Sequence, residues 1–168
     1  AAPRVGSDQF SSFISLVHSY LWSSVTFADQ KAAFLFTMDS AFLGYLLYNG
    51  LLRQLKPPVA AWHLPQWLAL VSLVCLGFSI GFAVDVVMPR LGGNRSGLIY
   101  FRAIATRKTR DAYVGEVLSA SDSSLSSALA EHSYEVACIV TRKYKHLRIG
   151  IWIGALGFLS ALVYIGIA

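Results

Sequence analysis

Twenty residues without a single charge, Ile149–Ala168 (IGIWIGALGFLSALVYIGIA), constrain this chain more than any other feature. The hydrocarbon core of a bilayer is ~30 Å thick and takes about 20 apolar residues as helix. Two further stretches pass the same length test. Trp67–Met88 carries one charge, Asp85, near its end, and Ala32–Leu52 carries one, Asp39. A buried helix of a soluble protein is the alternative for Ala32–Leu52; its length and its two apolar neighbours favour a span. Composition agrees. Of 168 residues, 55% are hydrophobic and only 14% charged, against roughly 25% charged in an ordinary soluble domain. Disorder is excluded and a water-soluble globule is disfavoured.

The connections set a topology. Between the first two stretches lies RQLKPPVAAWHLPQ, a short proline-rich loop; Trp62 within it and Trp67 just after it suit the membrane interface. Residues 89–148 hold ten of the 14 Lys+Arg residues, and basic loops stay in the cytoplasm. The net charge of +5 therefore reads as a topology signal rather than a nucleic-acid surface. The expected organisation is an N-terminal cytoplasmic helix at 1–31, transmembrane helices one and two at 32–88, a cytoplasmic helical region at 89–148 and transmembrane helix three at 149–168. The fold class is all-α, with three membrane helices extended into a cytoplasmic helical bundle. No basic region followed by a short apolar core and a cleavage site indicates a signal peptide. Cys75 and Cys138 form no CxxC and no disulfide framework.

Within the cytoplasmic parts, Phe10, Phe13, Ile14, Val17 and Leu21 recur at helical spacing behind the capping residues Ser7 and Asp8. No breaker separates them from the first span, so one helix from about Gln9 to Leu52 is expected. Gly92–Gly97 is a loop by composition. A helix from Leu98 to about Leu118 follows, then a serine-rich break at Ser119–Ser124. Leu125, Leu129, His132, Val136 and Ile139 are spaced 4-3-4-3, a heptad seam. That helix meets the third span without interruption, so one helix from Ser124 to Ala168 is expected, its cytoplasmic half ~37 Å long.

Catalytic constellations are absent from the sequence: no GxSxG, HExxH, P-loop or GxGxxG occurs. The chain reads as a non-enzyme, without cofactor or metal. His132 and Glu135 share a helix face but suit a solvated surface better than a metal. The acids are more informative. Asp39 lies ~10 Å into the first span and Asp85 near the same leaflet, with Lys31, Arg90 and Arg148 close to that level. An ionisable group at such depth is a functional candidate; a structural ion cluster at the cytoplasmic mouth is the equal alternative. Gly77, Gly81 and Asp85 fall on one i, i+4 stripe and Gly150 and Gly154 repeat it, which suits close helix approach, within the chain or between copies. Arg102, Arg107, Lys108, Arg110, Arg142, Lys143, Lys145 and Arg148 are interleaved with Tyr100, Phe101, Tyr113 and Tyr144. Cations with rings suit a phosphate attached to a base; from the residues alone, anionic lipid headgroups explain them better.

Four segments in order resemble a known family: Ala28-Asp29-Gln30-Lys31-Ala32 leading into the first span, Gly97-Leu98-Ile99-Tyr100-Phe101 after the second, Tyr113 with the serine break behind it, and Lys143-Tyr144-Lys145-His146-Leu147-Arg148 leading into the third. The order is similar to that of the transmembrane effectors of the Pycsar anti-phage defence system, over about Phe27 to Ala168. The helix Asp8–Thr26 has no family motif. The resemblance implies a multi-pass protein of the bacterial inner membrane with a cytoplasmic N-terminus. It implies an effector that senses a cyclic mononucleotide, cCMP or cUMP, and impairs the membrane of the infected cell, which stops growing or dies. On this expectation Arg102, Lys143 or Lys145 holds the phosphate, Tyr100, Phe101, Tyr113 or Tyr144 stacks the base, and Asp29, Lys31, Asp39, Asp85 and Arg148 form the membrane mouth. Lipid and further copies of the chain are the other expected partners. A ligand-independent scaffold, or a small oligomeric ion channel with another stimulus, is the alternative.

Overall fold

The computed structural model describes residues 7–88, 98, 99 and 101–167, with the side chains of Ser7, Asp8, Phe101 and Arg102 outside that description. Among the described residues all regular structure is helical. Helix α1 is Ser7–Tyr48, α2 is Leu51–Gln54, α3 is Leu64–Val87, α4 is Phe101–Ala105, α5 is Arg110–Ser119 and α6 is Asp122–Ile167, with a 3-10 turn at Val59–Ala61. The two long helices expected from the absence of breakers are present. The first stops at Tyr48 rather than Leu52, because Gly50 takes the left-handed conformation with φ 87°. Its N–H donates to the Leu47 carbonyl at 3.1 Å, a glycine-terminated helix end.

The helix expected over Leu98–Leu118 is instead two short helices. Thr106 and Thr109 explain the break. The Thr106 hydroxyl turns back to the Ala103 carbonyl at 2.8 Å, and Thr109 Oγ1 caps α5 by accepting from the Ala112 N–H at 3.2 Å. The serine break behaves as capping chemistry: Ser121 Oγ accepts from the Ser124 N–H at 3.3 Å. The expected Gly92–Gly97 loop and the Ser7 and Asp8 caps lie outside the described residues and side chains.

The chain divides into two compact units, 1–26 with 90–141 and 27–89 with 142–168. In the first, the heptad seam lands inward: Val136 is buried, and Leu125, Leu129, His132 and Ile139 are half-buried. From α1, Ile14 is buried, but Phe13 is 60% exposed, so the packed face is narrower than the apolar spacing suggests. Arg107 is held by Glu116 through Nε at 2.9 Å and Nη2 at 3.0 Å, which ties α5 to the end of α4.

The second unit packs α3 against both long helices. A cluster of Leu46, Leu51, Ala69, Leu76, Ala161 and Tyr164 fills one end, and Ala32, Val86 and Leu147 the other. Helix α3 starts at Leu64 rather than Trp67, with the His63 N–H donating to Gln66 Oε1 at 2.9 Å. The interface tryptophans meet edge to face at 5.2 Å, and Trp62 Nε1 donates to the Pro57 carbonyl at 2.8 Å. The glycine stripes divide. On α6 a Cβ at Gly154 would lie 2.7 Å from Ser79 Oγ, and one at Gly157 would lie 2.9 Å from Cys75 Cβ. Gly77 and Gly81 have nothing within 4 Å. Among the described residues these two glycines therefore make no close packing contact, although Asp85 on the same stripe pairs with His146: α3 packs through Ala69, Ser72, Leu76, Ser79, Ala83 and Val86.

Two described helices are long and apolar enough to cross a bilayer, α3 at mean hydropathy 2.3 and the apolar end of α6 at 2.0. Only 28% and 33% of those windows is buried. The core helix of a soluble protein would be mostly buried, so these surfaces suit lipid.

Candidate functional site

Two of the segments singled out in the sequence, 28–32 and 143–148, meet the end of α3 in the second unit as a clasp of three helices. Ala28 and Ala32, one turn apart on α1, are fully buried; having no bulk, they admit α3 and α6 closely. Asp29 on the neighbouring face pairs with Lys143 of α6, whose side chain is 8% exposed. Lys31 stands over the Tyr144 ring, its Nζ 5.8 Å from the centroid, a cation–π distance. Asp85 at the end of α3 pairs with His146 Nδ1, and the Phe82 ring meets the His146 imidazole edge-on at 6.0 Å. Leu147 is buried against Ala32 and Val86. The conspicuous charges thus tie α1 to α6 and α3 to α6. Truncating one partner of such a pair costs more than the pair contributes, because the other charge is left unpaired.

Helical rise places Asp39 about 15 Å along α1 from Asp29, in the interior of the same unit. It is 7% exposed. Ser79 Oγ lies 2.5 Å from Asp39 Oδ2 and 2.9 Å from the Gly150 carbonyl oxygen, so one polar contact joins α1, α3 and α6. Among the described residues no cation pairs with Asp39. An almost wholly apolar groove of about 600 Å³ reaches it past Leu35, Met38, Phe42, Tyr45 and Phe158. A second apolar groove, about 370 Å³, lies between Ala33, Phe36 and Thr37 of α1 and Ala83, Val84 and Val87 of α3.

The expected nucleotide residues are distributed. Lys143 is buried and paired, whereas Tyr144, Lys145 and Arg148 are exposed. Tyr113 belongs to the first unit, where its hydroxyl donates to the Leu98 carbonyl at 3.0 Å. Tyr100 lies outside the described residues, as do the side chains of Phe101 and Arg102. Asp85 takes as partner His146, which the sequence reading passed over in favour of Lys31, Arg90 and Arg148. The signal was available: His146 follows the basic run one turn before Gly150, at the level Asp85 occupies on a helix running the other way.

The first unit holds one further pair that the sequence reading missed. The His18 and His132 rings stand 5.5 Å apart, with both Nδ1 atoms and Ser133 Oγ buried without a hydrogen-bond partner among the described residues. Burial, the nearby His18, and Glu135 acting the other way leave the His132 imidazole below its ordinary pKa. No group of three or more metal-ligating side chains forms among the described residues.

Long helices, apolar exposed spans and a charged clasp define an all-helical membrane protein. The family model described as the Pycsar effector protein domain matches residues 14–168, and the chain belongs to that family. It is an anti-phage defence effector, on the effector rather than the cyclase side of its system. Comparison with curated proteins and with solved structures finds no match.

Proposed function

We propose that this effector senses a cyclic mononucleotide, cCMP or cUMP, through its cytoplasmic helices, and impairs the bacterial inner membrane in response. Membership of the effector family over residues 14–168 carries the reading. Two apolar helices with little intrachain burial support the membrane half of it. The α1 stretch 32–48 is the remaining span. Its single deep ionisable residue, Asp39, is not turned toward lipid but held against Ser79, which makes the span affordable in hydrocarbon. The basic residues of 89–148 put that region and the N-terminus in the cytoplasm, and the chain works as a homo-oligomer in contact with lipid.

Arg102, Lys143 or Lys145 supplies the phosphate-binding charge, and Tyr100, Phe101, Tyr113 or Tyr144 supplies the ring for the base. Asp29 already engages Lys143 and competes with phosphate for it. A ligand that captures Lys143 therefore opens the α1–α6 link, and such differential contact is what shifts a two-state equilibrium. Asp39 and Asp85 then line the path that opens.

Thermal stability of the detergent-solubilised protein tests the sensor. A ligand of the native state raises it by mass action. Stabilisation by cCMP or cUMP, and not by cyclic purine nucleotides, is the expected result. A rise only with a cyclic dinucleotide moves the protein to a sister system. No rise with any of them, in folded protein, favours a ligand-independent scaffold or a channel with another stimulus. D29N adds a direct check on Lys143: removing its competitor tightens nucleotide binding if Lys143 holds phosphate, and leaves it unchanged if the lysine only ties helices.

A further inference from the structure

The groups around Asp39 constrain its protonation. A serine hydroxyl has one hydrogen, an ionised carboxylate only accepts, and a backbone carbonyl only accepts. Ser79 Oγ nevertheless makes close contact with both Asp39 Oδ2 and the Gly150 carbonyl. With Asp39 ionised, two acceptors compete for one hydrogen and a carboxylate sits in an apolar unit with no described cation beside it. With Asp39 protonated, each contact has its own hydrogen. Oδ2–H donates to Ser79 Oγ, and the Ser79 O–H donates to the Gly150 carbonyl.

We propose that Asp39 is a proton-binding site of the second unit, loaded in the packed state, with Ser79 and the Gly150 carbonyl as its built acceptor chain. The neighbouring glycine is part of the site. A Cβ at Gly154 would come within 3.0 Å of Asp39 Oδ2 and 2.7 Å of Ser79 Oγ, so a side chain there would push the hydroxyl and the carboxyl out of this arrangement. The contrast with the clasp is chemical. Asp29 and Asp85 face a lysine and a histidine; Asp39 faces a hydroxyl. Release is a plain acid dissociation: Asp39 gives H⁺ to a water reaching it along the apolar groove and becomes a carboxylate. The packed state then holds one hydrogen too few and a charge poorly accommodated at this depth. Loss of the proton and separation of α1 from α3 and α6 are therefore coupled. This deepens the membrane half of the function proposed above, since it assigns to Asp39 the ion that it binds.

The test needs no nucleotide. The full chain is reconstituted in liposomes at neutral pH, its insertion is verified by flotation, and the infrared spectra of wild type and D39N are subtracted. A carboxylic-acid carbonyl band present in wild type and lost in D39N is expected, with S79A shifting that band because its acceptor is gone. Floating protein without such a band overturns the proposal while leaving insertion and nucleotide sensing untouched. Should D39N fail to insert, dicyclohexylcarbodiimide decides on the wild type alone. It adds across a protonated carboxyl in an apolar site, giving a stable N-acylurea that carries every atom of the reagent. Peptide mass mapping is expected to place the adduct on Asp39, sparing Asp29 and Asp85. An unmodified Asp39 overturns the proposal.

Discussion

At the scale of single residues, the same chemistry has different uses according to what stands opposite. Lys143 and Lys145 are two positions apart in one basic run, yet Lys143 is 6% exposed and tied to Asp29, while Lys145 is exposed. K143M is expected to lower stability by about 1–3 kcal/mol, the cost of leaving a partly buried charge without its partner. D29N/K143M is expected to recover part of that loss, and a double-mutant cycle by thermal unfolding measures the coupling. His132 behaves differently. Its folded-state pKa lies below the unfolded value of about 6.5. As pH falls below that value the unfolded chain takes up the proton first, so stability is full above about 6.5 and is lost on acidification. The melting temperature is expected to drop between pH 7 and 5.5, and H132Q is expected to flatten that dependence.

At the scale of elements, helix ends and helix faces respond to different substitutions. T109A removes the α5 cap seen in the Ala112–Thr109 hydrogen bond, at an expected cost of about 1 kcal/mol. Gly157, one turn beyond the α6 stripe, and the α3 stripe invite a paired comparison. G157A drives a methyl group to 2.9 Å from Cys75 Cβ and 3.0 Å from the Leu76 nitrogen, so α3 and α6 must part and the expected loss is roughly 1–3 kcal/mol. G77A and G81A meet nothing within 4 Å and are expected to be neutral, or stabilising by up to about 1 kcal/mol through helix propensity. Unfolding of the three variants in one detergent checks the sign of each. The sequence pattern alone makes both stripes equivalent. Which stripe packs depends on the rotation of α3, and that is set by Ala69, Leu76, Ala83 and Val86 finding partners on other helices.

At the scale of the whole molecule, the two native cysteines report topology without engineering. Cys138 is exposed and Cys75 half-buried within α3. A membrane-impermeant maleimide is expected to spare Cys138 in intact spheroplasts and label it after permeabilisation, with Cys75 slow in both cases. Labelling of Cys138 in intact spheroplasts would reverse the orientation drawn from the basic residues of 89–148. Extraction gives the companion result: the chain is expected to stay with membranes at alkaline pH and to leave them only in detergent.

The sequence by itself determined the features that depend on composition over a window. The all-helical class, the apolar stretches of α3 and α6, the seam from Leu125 to Ile139 and the family all follow from order and period along one chain, because burial and hydrocarbon length act on each helix separately. Exact ends were less legible, since the Gly50 turn and the Thr109 cap override propensity locally. Partner choice belonged to the tertiary structure. Asp85 meets His146, Asp39 meets Ser79, and His18 meets His132 across separations no periodicity spans. A hydrogen bond or ion pair is short-ranged and directional, so it is settled only when packing has fixed which faces of which helices touch.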